Sequence, residues 1–253
     1  TTKRPLLRRA FALTFAPPGA VRDDHRDARG TPLLANVHVG VPAPKLAGAS
    51  VHLVQGEYLY YHYMQQGFDD KGWGCAYRSL QTILSWFRLN GYTSAPVASH
   101  RDIQEALVIV DSFSKKPSFV GSSQWIGSTE VGFALDHMLG VECRFLNVNR
   151  GSELPSTARD LARHFDTVGT PVMMGGGALA YTCLGVAYNA ATGEALFLIL
   201  DPHYTGADVL DAVQKKAVAL EGYRAVPVGW RGAEAFAQQS FYNLCLPQRP
   251  DLV

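Results

Sequence analysis

From Thr167 to Gly193 the chain carries no charged side chain. Pro171, the Gly175-Gly176-Gly177 triplet, Thr182 and Asn189 interrupt the run, which argues against one membrane-crossing helix. It reads instead as two buried strands, Pro171–Met174 and Leu179–Tyr188. Further strand-length stretches are the alternating Val141–Leu146, then Leu196–Leu200, Tyr223–Val228 and Phe241–Leu246. Earlier in the chain Pro42, Pro44 and Gly56 separate three short extended stretches, Val37–Val41, Ser50–Val54 and Glu57–Tyr63. Helical periodicity is strongest over Cys75–Leu89, where apolar residues fall at 76, 80, 83, 84 and 87 before an Asn90-Gly91 cap. Ile103–Val110, Thr129–Leu139 and Ser156–Phe165 repeat that spacing. Helices come first and a mostly antiparallel sheet second, an α+β arrangement.

A length of 253 residues with 47% hydrophobic and 18% charged side chains is a folded composition, long enough to bury a core without staples. The net charge of +1 provides no global field for nucleic acid or an anionic membrane. The first 36 residues hold seven basic and three acidic side chains. They read as an irregular basic N-terminal segment ahead of a single domain over 37–253, with Arg8-Arg9 and AFALTFA weighed as a targeting fragment and set second. Cysteines at 75, 143, 183 and 245 form neither a zinc spacing nor a disulfide framework, which favours a reducing compartment.

One cysteine differs from the others in its place. Cys75 follows Asp69-Asp70-Lys71-Gly72-Trp73-Gly74 and opens the strongest helix. Free backbone N–H groups and the positive end of the helix dipole favour a thiolate there, and Gly74 gives a substrate backbone room to approach. Cys143, Cys183 and Cys245 lie inside predicted strands and read as packing residues. A nucleophilic thiol needs a base and the base an orienter. Leu198-Ile199-Leu200-Asp201-Pro202-His203 supplies both, because an extended backbone puts Asp201 and His203 on one face. A metal reading of Cys75, Asp201 and His203 is weaker, since no further histidine stands at ligand spacing. Candidate oxyanion donors are the Cys75 backbone N–H and a hydroxyl from Tyr58, Tyr60, Tyr61 or Tyr63; in a strand 61 and 63 share a face. The other histidines, His62 and His100 among them, read as surface or satisfied groups.

The blocks YHYMQQGFDDKGWGCAYRSLQ (61–81), WIGSTE (125–130), GGGALAYTCLGV (175–186), LILDPHYTG (198–206) and FYNLCLP (241–247) together resemble the ubiquitin-fold modifier specific proteases, cysteine peptidases of papain-like fold. The resemblance implies cleavage after the modifier's C-terminal glycine, in maturation of its precursor and in release from lysine. It implies Cys75 as nucleophile, His203 as general base, Asp201 as orienter and Tyr63 as oxyanion donor. Family members often have histidine where this chain has Tyr181. Larger members carry a long region ahead of the catalytic part, so recruitment to the endoplasmic reticulum is not carried over with the motifs.

The expected substrate channel is narrow, lined by Trp73, Gly74, Gly175, Gly176, Gly177 and Tyr181, with the glycines letting two backbones pass closely. No metal and no cofactor is expected. The expected partners are the ubiquitin-fold modifier and its conjugates, with no nucleic acid or membrane insertion, for a monomer in the cytoplasm that a partner tethers to the endoplasmic reticulum. Competing readings are an autophagy-type cysteine protease acting on another ubiquitin-like protein, a papain-like acyl transferase, and a binding module that holds such a protein without cutting it. The intact Cys75, Asp201 and His203 argue against the last.

Overall fold

The computed structural model describes residues 22, 25–27 and 29–250. The stretch Arg8-Arg9 and AFALTFA lies outside them. Helix α1 (Cys75–Leu89) runs through the centre of the molecule, and α2 (His100–Val110), α3 (Ser128–Leu139), α4 (Ala158–Thr167) and the short α5 (Leu210–Lys215) surround it or cap the sheet. The strands are β1 (Ser50–Leu53), β2 (Cys143–Val148), β3 (Val172–Gly176), β4 (Leu179–Tyr188), β5 (Ala195–Leu200), β6 (Val218–Ala219), β7 (Arg224–Ala225), β8 (Val228–Arg231) and β9 (Tyr242–Pro247). Seven of them form one antiparallel sheet in the order β2-β9-β3-β4-β5-β8, with β1 also paired to β4. The α+β arrangement is as expected. No helix among the described residues is long and apolar enough to cross a membrane.

The uncharged run folds as the β3–β4 hairpin in mid-sheet, and eight consecutive residues of β4, Ala180–Ala187, are buried. The periodicity of α1 implies one apolar face, yet every residue of the helix but Arg88 is buried. Its apolar side packs on the sheet. Its polar side lies under the strap 57–63, where the Leu59 N–H donates to Ser85 Oγ at 2.9 Å and the Tyr61 N–H to Thr82 Oγ1 at 3.2 Å. Those donations satisfy buried polar groups on both partners, while the other edge of the strap makes a single antiparallel bridge, Leu59 with Ala35. Glu57–Tyr63 is therefore extended but joins no sheet. Val37–Gly40 is a turn, not an extended stretch.

The strap also corrects the expected pairing of tyrosines. Tyr61 packs with Leu33, Ala35, Leu59 and Leu89 in a small second cluster, whereas Tyr58, Tyr60 and Tyr63 join the main core. Alternation holds as far as Tyr61 and then breaks as the chain enters a turn at Tyr63–Met64, where Met64 has a left-handed φ of 64°. Tyr63 is thereby brought round to the side of Tyr60. A second departure is at Gly151–Thr157, which forms 3₁₀ turns, so the helix expected from Ser156 starts at Ala158.

Candidate active site

Cys75 is the first residue of α1, and its backbone N–H donates to no group among the described residues. This follows from helix geometry, since first-turn N–H groups have no carbonyl one turn earlier. Gly74 ahead of it is buried, and a Cβ there would stand 2.6 Å from the Asp70 side chain. The glycine thus makes room for Asp70, and it is not among the residues that line the cleft beside Cys75.

Asp70 is the hub of this end of the site. Its Oδ2 accepts from Arg78 Nε at 2.5 Å and His100 Nε2 at 3.1 Å, and its Oδ1 from the Met64 N–H at 2.8 Å. Its carbonyl accepts the N–H groups of Trp73 and Gly74. Asp70 and Arg78 are both fully buried, so each charge depends on the other. Burial would raise the Asp70 carboxyl, but the His100 and Arg78 hydrogen bonds hold it below its ordinary value. His100 is pushed down, chiefly by burial and further by the Arg78 charge, against the pull of Asp70.

Asp201 and His203 leave the end of β5 and face one another as their spacing predicts. His203 Nδ1 bonds Asp201 Oδ1 at 2.7 Å, and the His203 N–H donates to the same oxygen at 3.0 Å. The other oxygen, Oδ2, accepts Arg231 Nη2 at 2.8 Å and the Tyr223 hydroxyl. Burial alone would raise the Asp201 carboxyl, but His203, Arg231 and Tyr223 bring it down to about 2. Burial likewise opposes the imidazolium, yet the hydrogen bond and charge of Asp201, together with the neighbouring Cys75, outweigh it and push His203 up to about 9. His203 Nε2 is buried with no hydrogen-bond partner. It is the nitrogen left to serve the thiol.

Tyr63 meets the His203 ring edge to face, with centroids 5.3 Å apart. Burial, then the Cys75 charge and hydrogen bond, push its hydroxyl far up, so it stays a neutral phenol able to donate. Three parts of the chain thus bring four side chains together: the strap at Tyr63, the start of α1 at Cys75, and the β5 exit at Asp201 and His203.

A cleft of about 460 Å³ opens beside Cys75, lined by Trp73, Trp125, Gly175, Gly176, Gly177 and Phe241 among others. Trp73 and the three glycines are among its lining residues. Tyr181 is not: it is only 2% exposed and packs its ring against His203 and the Arg231 guanidinium, behind the cleft. The glycines also have another reason to be there. A Cβ on Gly176 would fall 2.2 Å from the Tyr242 ring and one on Gly175 2.9 Å from Ser128 Oγ, while Gly177 turns with φ +61°. Packing at Gly175 and Gly176 and backbone conformation at Gly177 favour glycine independently of any substrate.

Sequence reasoning missed Tyr223, Arg231, Trp125 and the Asp70–Arg78–His100 group. A signal existed for Arg231, an arginine that closes the uncharged run Ala225–Trp230, which asks for a buried carboxylate. None existed for Tyr223, whose partner is 22 residues away. Among the described residues no group of three His, Cys, Asp or Glu side chains is arranged to hold a metal.

The family model described as Peptidase family C78 matches residues 49–245, a span that holds all four converging side chains. The chain belongs to that peptidase family. It is 50% identical over 256 residues to a "Probable Ufm1-specific protease" of Oryza sativa subsp. japonica, covering 99% of this chain and 38% of the relative. To a "Ufm1-specific protease 2" of Rattus norvegicus it is 48% identical over 248 residues, covering 98% of this chain and 50% of that one. A crystal structure of UfSP from C. elegans superposes with a TM-score of 0.75 at 47% identity, covering 87% of this chain and 38% of the other. The fold is the papain-like one that the motifs implied. The chain spans half or less of the length of these relatives.

Proposed function

We propose that this chain is a thiol peptidase and isopeptidase that cleaves after the C-terminal glycine of the ubiquitin-fold modifier, acting on its precursor and on its lysine conjugates. The observation that carries the reading is the His203 ring, held by Asp201 at 2.7 Å through Nδ1, with the Cys75 thiol near enough to raise its basicity. In this scheme the proton of Cys75 passes to His203 Nε2 and the sulfur attacks the glycine carbonyl carbon. The Tyr63 hydroxyl and the Cys75 N–H donate to the oxyanion. The imidazolium returns its proton to the departing amine, and water, activated by the same nitrogen, releases the glycine acid from the thioester. Asp201 stays ionised throughout, kept so by Arg231 and Tyr223.

The choice of modifier is supported by relatives named Ufm1-specific proteases at about 50% identity. We place the enzyme in the cytoplasm as a monomer, brought to the endoplasmic reticulum through a partner. The test is incubation with a panel of ubiquitin-like proteins bearing a C-terminal electrophile, followed by peptide mapping. The expected product is an adduct of the ubiquitin-fold modifier on Cys75. Preferential capture of an autophagy-type modifier, or no adduct with any, overturns the assignment.

A further inference from the structure

We propose that His62, backed by Asp208, is the positioning residue that sets the Tyr63 hydroxyl on the oxyanion, an inference that rests on the thiol-peptidase reading above. The strap alternates Leu59 and Tyr61 to one side and Tyr58 and Tyr60 to the other. Tyr63 must leave that alternation to reach His203. The turn that does so places Met64 and Gln66 at left-handed φ of 64° and 60°. Such a backbone in residues other than glycine is strained and persists only where neighbours over-determine it.

The neighbours are polar and specific. The Tyr63 N–H donates to the Pro202 carbonyl at 2.9 Å, and the Met64 N–H donates to Asp70 Oδ1 at 2.8 Å. Between them, His62 Nδ1 lies 2.9 Å from the Tyr63 carbonyl and 3.0 Å from the Tyr204 carbonyl. One ring nitrogen therefore ties the residue carrying the oxyanion hydroxyl to the residue after the catalytic base. The ring is held in turn. Its Nε2 meets Asp208 Oδ1 at 3.1 Å, an oxygen that also accepts Gln65 Nε2 at 3.0 Å, and the His62 N–H donates to Gln65 Oε1 at 3.0 Å. Tyr60 and Tyr204 enclose it, with centroids 4.9 Å away on each side. A side chain that served only to fill this space would need neither nitrogen.

The test is a double-mutant cycle of His62→Phe with Tyr63→Phe, read on an activated ester of acetylglycine and on the modifier fusion. His62→Phe keeps the aromatic packing and removes both nitrogens. A misplacement of about 1 Å can cost on the order of 100-fold, so kcat on the ester is expected to fall by about 10- to 100-fold with KM within about twofold. Alkylation of Cys75 by iodoacetamide, which forms no oxyanion, is expected to stay within about twofold of the parent rate. In the Tyr63→Phe background the His62 change should add almost nothing, and His62→Asn, which keeps an N–H near Nδ1, should recover most of kcat. Multiplying losses in the double variant, a fall in melting temperature with kcat intact, or a parent unable to turn over the ester would each overturn the proposal. Ester turnover without cleavage of the fusion counts against the choice of substrate and leaves the cycle readable.

Discussion

Two buried carboxylates flank the nucleophile, and each has an arginine and a histidine. Asp201 holds Arg231 and His203; Asp70 holds Arg78 and His100. Their inventories match and their wiring differs. At Asp70 the arginine and the histidine share one oxygen, Oδ2, with the arginine at 2.5 Å and the histidine at 3.1 Å. At Asp201 the histidine has Oδ1 to itself at 2.7 Å, while the arginine and a tyrosine take Oδ2. Sharing an oxygen with a guanidinium leaves His100 pushed down by burial, whereas a private oxygen and a facing thiol push His203 up to about 9. The first arrangement braces a loop, and the second readies a proton carrier.

The same change at the two sites should therefore split activity from stability. Asp201→Asn is expected to lower kcat by about 10⁴-fold, because the amide selects the wrong imidazole tautomer. Asp70→Ala leaves Arg78 buried without a counter-charge, for which a loss of about 3–5 kcal/mol of unfolding free energy in urea titration is expected. The folded fraction of that variant should retain kcat within about tenfold, since no reacting atom touches Asp70 and its Met64 contact is one of several that hold the Tyr63 turn. Equal kcat losses at both sites would remove the distinction.

Tyr63→Phe sharpens the picture on the strap side. A drop in kcat of about 10- to 1,000-fold is expected, with KM little changed, as for other oxyanion donors. An unchanged kcat with lower stability would make Tyr63 a packing residue.

A smaller effect comes from proton linkage, and its sign differs between the two histidines. His203 is raised from 6.5 to about 9, so the folded state binds the extra proton; that stability is full below 6.5 and is lost as pH rises through about 9. His100 is lowered, so the folded state prefers it neutral; its contribution is full above 6.5 and is lost as pH falls toward its depressed value. Urea midpoints of the parent, His203→Gln and His100→Gln followed from pH 5 to 10 should separate these slopes. Parallel curves would contradict the comparison.

How much of this was legible in the sequence depended on range. The helix at Cys75–Leu89, the β4 strand and the Asp201–His203 pair follow from spacing within one element, and all three stand where local pattern puts them. Tyr63 became identifiable only through motif resemblance, because it sits in a turn where strand alternation no longer holds. Arg231 reaches Asp201 over 30 residues and His100 reaches Asp70 over 30, distances at which periodicity carries no information. Tyr181 and Gly74 were assigned to the channel because they neighbour it in sequence, yet their contacts are to Arg231 and Asp70 on the far side.

The most direct measurement is an NMR titration of ring-labelled histidine, with His203 and His100 assigned by substitution and followed in one sample. The account predicts that His203 remains protonated through neutral pH with a midpoint near 9, while His100 titrates below 6.5. A His203 midpoint at or below 6.5 would mean that its private oxygen and the facing thiol do not outweigh burial, and the proton-carrier role assigned to it would fall.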